Sequence, residues 1–161
     1  MLKAMNEFAA KKLGEVLAFA NVGLETLDKA RAGIVQAWSS DEIKLLVDGF
    51  SKQRDTIADS AKAAGVGDTT STKAEATAIK LRSMRDAYVG DEWDNPAEIM
   101  EWLGFFEGSA MVHWALVRGA AETLDHTPIK QIADEAIGFH HDFLHNVRDK
   151  LMAIGESRAS T

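Results

Sequence analysis

Residues 95–125 read NPAEIMEWLGFFEGSAMVHWALVRGAAETLD, and the spacing of their apolar side chains decides the fold. Asn95 before Pro96 marks a helix start: the asparagine side chain can accept from a free backbone N–H, and proline suits a first turn that needs no N–H. At about 100° per residue, Met100, Leu103, Glu107, Ala110, Met111, Trp114 and Ala121 fall on one stripe. Trp102, Phe105, Phe106, Val112, His113 and Leu116 fall on a second. Gly104, Gly108, Ala115 and Gly119 form a ridge of small residues between the two, where another backbone can come close. The run from Trp102 to Val117 carries Glu107 and His113 and falls short of the ~20 residues that span a bilayer. It predicts a helix with two apolar faces inside an all-α protein.

The same punctuation organises the rest of the chain. Ser39 with Glu42, and Thr72 with Glu75, read as capping boxes, and Thr127-Pro128 repeats the Asn95-Pro96 start. Those are the only two prolines, so no helix interior is interrupted by one. Gly33, Gly65, Gly90 and Gly155 stand where a helix end favours a left-handed residue. Five helices are predicted, over 2–33, 40–64, 72–89, 96–125 and 128–155, with GVGDTTS at 65–71 as a flexible linker that could be a crossover. No run alternates with period two, so no strand is expected. With 161 residues, 46% hydrophobic and 27% charged, the chain can bury a core as one domain, 1–161.

The first helix also has two stripes, Leu2, Ala9, Leu13, Leu17, Ala20, Leu24 and Leu27 on one side and Phe8, Phe19 and Val22 on the other. A helix with two apolar faces is either central in its domain or part of a subunit interface, because a long exposed apolar face is a solubility liability. A homo-oligomer is therefore expected, most simply a two-fold dimer, through Phe8, Phe19, Val22, Trp102, Phe105 and the Gly104/Gly108 ridge. The alternative is a monomer in which segment 72–89 covers the spare face.

Composition narrows the partners. The net charge is −7 and Lys/Arg form no block, which argues against nucleic acid and against an anionic membrane surface. The absence of cysteine removes disulfides, thiolate metal sites and cysteine nucleophiles together. Met1 to Lys12 lacks the apolar core of a secretory signal, so a cytoplasmic location is expected.

Two residues stand out for chemistry. Glu107 lies in the middle of an apolar stripe, where a carboxylate is costly unless paired or bound to metal. His140 lies in the middle of the stripe Ile129, Ala133, Ala136, Ile137, Leu144, Val147 and Leu151. The two could meet across one core, as a plain hydrogen-bonded pair or as part of a metal site with Glu15 and Glu25. His141 and His145 share a face at i, i+4, a spacing that suits a divalent metal, but that face also holds Asp134, Asp142 and Asp149 and reads as solvated. Glu122 and His126 share the spacing at a helix end, where His126 can offset the C-terminal dipole. Met100, Phe106, Met111 and Trp114, with Glu107 as anchor, are candidates to line a small-ligand pocket. No phosphate loop or nucleophile elbow is present.

The layout, with Gln53-Arg54-Asp55-Thr56-Ile57-Ala58 and Ala63-Ala64-Gly65 closing the second helix, Phe106-Glu107 on the next long one, and Ile132-Ala133-Asp134-Glu135 through Asp142-Phe143-Leu144-His145 on the last, resembles the ferritin-like superfamily. That resemblance implies an up-down four-helix bundle, here with an extra short helical segment, and iron or manganese bound by carboxylates and histidines at its centre. The Glu-x-x-His motif that supplies those ligands is absent; Asp142-x-x-His145 is nearest, and Asp55 is followed by Ala58. Three functions follow as expectations: a self-associating ferritin-like bundle without a standard di-iron site, a metal-dependent oxidoreductase with an irregular site, and a small-ligand-binding bundle.

Overall fold

The computed structural model describes residues 4–161 as α1 (Glu7–Lys29), the single turn α2 (Arg31–Ile34), α3 (Ser40–Ala63), α4 (Gly67–Val89), α5 (Pro96–Thr123) and α6 (Thr127–Ala159). No strand occurs among the described residues. Leu2, read as the first core position of the first helix, lies outside them.

Several starts and stops follow from the local chemistry. Asn6 caps α1 by accepting from the Ala9 N–H at 2.9 Å. Ser39 and Glu42 close a reciprocal capping box at the head of α3, with bonds of 2.7 and 3.2 Å. Asn95 accepts from the Ala97 N–H, as the Asn-Pro start required. Gly65 and Gly90 take φ of +73° and +56°, a region only glycine enters freely.

Tertiary contacts move the other boundaries. Helix α4 begins at Gly67, so Thr72 is an interior residue and not a cap. The added turn is held from outside, because the buried Thr70 hydroxyl donates to the Ala10 carbonyl of α1 at 3.1 Å. At the head of α6, His126 takes the capping role expected of Thr127, its Nδ1 accepting from the Ile129 N–H. The same residue also closes α5, its backbone N–H donating to the Ala121 carbonyl at 3.0 Å. Helix α6 runs through Gly155 to Ala159, and Arg158 near its end reaches Asn95 at 3.1 Å.

Helix α1 packs against α3, α4 and α5, while α6 packs against α3 and α5. Among the described residues no Cα of α1 comes within 8 Å of one of α6, nor one of α3 within 8 Å of α5, and side chains such as Phe50 and Phe106 at 6.3 Å meet across the middle of the bundle. Cross-helix pairs give the directions. Glu42 with Lys150 and Lys52 with Glu135 make α3 and α6 antiparallel, whereas Ala10 with Thr70 and Glu25 with Arg82 make α1 and α4 parallel. Glu107 with His140 and Arg118 with Asp134 make α5 antiparallel to α6 as well, so α3 and α5 run the same way, and α4 carries the chain back between them. It does so as a full helix of 23 residues and not as a short extra segment.

Helix α1 is thus enclosed on three sides. Phe19 and Val22, expected at a subunit interface, are buried within the chain, and Phe19 meets the Phe106 ring of α5 at 5.1 Å. Trp102 is likewise buried, with Tyr88 of α4 at 6.3 Å. Of the interface residues read from the sequence, Phe8 and Phe105 are exposed and Gly104 and Gly108 half-buried. No described helix is long and apolar enough to cross a membrane.

Candidate functional site

Three helices bring one polar side chain each into the apolar interior: Gln53 from α3, Glu107 from α5 and His140 from α6. All three are buried, Glu107 and His140 completely. The Glu107–His140 contact is a short hydrogen bond between Oε2 and Nδ1, and His140 Nε2 lies 3.1 Å from Gln53 Oε1. A ring with an oxygen at each nitrogen is satisfied when it donates from both, or when the Gln53 amide turns its NH2 toward Nε2.

The surroundings keep water out. Phe50 and Phe139 lie 5.7 and 5.1 Å from the His140 ring, the latter edge-on. Phe50 fits because α1 offers Gly23: a Cβ there would sit 2.6 Å from the Phe50 ring. Gly49 makes the same allowance for Phe139. Burial is the largest influence on the Glu107 carboxyl and pushes its pKa up, while the charge and hydrogen bond of His140 pull it back. Glu107 Oε1 is buried without a hydrogen-bond partner.

The sequence left open that Glu107 and His140 could meet, and the bundle brings them into contact, with neighbours that the sequence reading did not name. Gln53 carries the same signal that drew attention to Glu107, since Ile43, Phe50, Gln53 and Ile57 share one buried face of α3. The glycine–ring pairs carry no sequence signal, because only packing shows which ring meets which glycine.

The other candidate ligands lie elsewhere. Glu15 meets Lys12 at 3.0 Å, Lys73 at 3.6 Å and His113 at 4.0 Å. Glu25 takes a two-pronged hydrogen bond from Arg82, which holds its carboxyl below the usual range. His141 and His145 stack at 4.2 Å on an exposed face. Glu122 is taken by Arg118 at 2.6 Å. Among the described residues no three His, Cys, Asp or Glu side chains converge on one point. One glutamate and one histidine, already bonded to each other, do not make the donor set that a central iron or manganese pair would need. Met100, Phe106 and Trp114, considered as pocket lining, are buried core side chains, with Met111 half-buried.

The outer face of α5 has the opposite character. Phe105 is 65% exposed, Val112 60% and Leu116 43%. Beside them an open groove of about 660 Å³ runs between α5 and α6, over Gly104, Leu144, Leu151 and Met152. No family model, curated protein or solved structure matches the chain. Fold and geometry together define an all-α helical bundle with a buried polar cluster and one exposed apolar helix face.

Proposed function

We propose that the chain is a ferritin-like bundle without the di-metal chemistry, whose function rests on pairing with a second copy through the outer face of α5. The topology supports the ferritin-like part: two antiparallel pairs, α1/α3 and α5/α6, are joined by one long crossover through α4. The observation that carries the pairing is the uncharged outer strip of α5. Between Glu101 and Arg118 no exposed side chain of this helix is charged, in a chain of which 27% is. Phe105, Val112 and Leu116 recur along that strip at helical spacing, with Gly108 and Ser109 beside them. A monomer gains nothing from keeping such a strip wet, and a two-fold axis would cover it on both copies at once. The α5/α6 groove beside Gly104 offers a recess, and Phe105 offers a projecting ring, so one surface supplies both halves of an isologous contact. A stable dimer needs about 800 Å² on each copy, which draws in the α6 flank at Leu151 and Met152 as well.

Sedimentation velocity on the wild type and on Phe105→Glu tests the reading. The expected result is a wild-type mass near twice 17.5 kDa at micromolar concentration. The variant should be monomeric with unchanged helicity, because a charge in the strip stays solvated only in the free chain. A wild type that remains monomeric at that concentration refutes it.

A further inference from the structure

We infer that a cavity between α3 and α6, separate from the α5 face, binds a small organic cation with an apolar body. The cavity holds about 240 Å³, and its floor and walls include Trp38, Phe139, Phe143 and Leu45. Phe143 lies 5.6 Å from Trp38 and 6.1 Å from Phe139, so three rings pack together along the cavity, with the narrow exposed parts of Trp38 and Phe143, 4% and 3%, beside the half-buried Phe139. Aromatic faces carry negative charge density and attract a cation most strongly where water is partly excluded.

Two carboxylates share the same cavity, Glu42 from α3 and Asp142 from α6, and no Lys, Arg or His lines it. Glu42 is held ionised, chiefly by the Ser39 backbone N–H in the capping box and further by Lys150. Rings and carboxylates together select positive charge attached to hydrocarbon. An anion meets repulsion on both walls, and a purely apolar molecule leaves the carboxylates unused.

Trp38 is fixed for this role. Its indole N–H donates to Asn146, a residue of the same cavity, whereas the indole nitrogens of Trp102 and Trp114 are buried without partners. Two basic side chains already stand near these carboxylates, Lys150 with its Nζ 3.5 Å from Glu42 and His141 with its Nδ1 3.3 Å from Asp142. Neither is a lining residue, and the competition with an incoming cation is sharpest for Lys150, at Glu42.

The test uses ¹⁵N-labelled full chain titrated with choline and, separately, with 3,3-dimethylbutan-1-ol, which has the same shape and no charge. The Trp38 indole N–H and the Asn146 side-chain amide are the reporters. Choline should shift both saturably, and the alcohol should bind at least several-fold more weakly. Glu42→Gln with Asp142→Asn should weaken choline about three- to tenfold, most of it through Glu42, because Asp142 is 87% exposed and Glu42 38%. Glutamine at that position keeps the capping box, so the fold is retained. Lys150→Met should tighten choline about two- to fivefold by releasing Glu42. The inference is overturned if choline leaves the Trp38 indole unmoved, if the alcohol binds as well as choline, or if the charge variants leave affinity unchanged.

Discussion

Replacing His140 by alanine removes the only partner of a fully buried carboxyl group. Among the described residues Glu107 Oε1 has no hydrogen bond and Oε2 has only His140, so His140→Ala leaves both oxygens bare inside the protein. Gln53 loses its contact with the ring as well. At a pH above the raised pKa of Glu107, where the group is ionised, breaking a buried pair by deleting one member costs about 3–5 kcal/mol, because the survivor keeps its full desolvation penalty. A domain of this kind has about 5–15 kcal/mol in total, so the variant should lose at least about a fifth of its stability. In guanidinium chloride, followed by circular dichroism, that corresponds to a midpoint lower by about 1 M. The double variant Glu107→Leu/His140→Phe removes both polar members and should recover all but about 1–3 kcal/mol, the cost of leaving the Gln53 amide unpaired. A loss below about 1 kcal/mol for His140→Ala, or a double variant no better than the single one, would refute a coupled, water-free pair.

Because burial raises the Glu107 pKa, the native state holds a proton that the unfolded chain releases from about pH 4.5 upward. Stability should therefore fall as pH rises from there through the folded-state pKa, a slope that Glu107→Gln should remove; parallel pH–stability curves for the two proteins would count against it. Gly23→Ala should destabilise by about 1–2 kcal/mol, since the gain in helix propensity is smaller than the cost of displacing the enclosed Phe50 ring. Thermal unfolding measures this, and an unchanged midpoint would mean that Phe50 has room to move. Ser39→Ala should lose about 0.5–2 kcal/mol with its capping box, and the exposed Thr72→Ala should lose none, which urea denaturation of the pair decides.

Local chemistry made much of this protein legible from its residues. Caps and prolines act within one turn, so Ser39, Asn95, Gly65 and Gly90 marked real helix boundaries. Periodicity reports burial, so Glu107 and His140 stood out as polar groups on apolar stripes. Periodicity does not report which partner covers a face. Phe8, Phe19, Val22, Trp102 and Phe105 look alike in the sequence, yet Phe19, Val22 and Trp102 are buried within the bundle while Phe8 and Phe105 stay exposed. Contacts between distant segments settled the rest. The Thr70–Ala10 bond lengthened α4 past its apparent cap, and the parallel course of α3 and α5 made that helix the crossover. The company of His140 came from separate helices: Gln53 and Phe50 of α3 and Glu107 of α5 meet it, with Gly23 of α1 making room for Phe50, only once the bundle has closed.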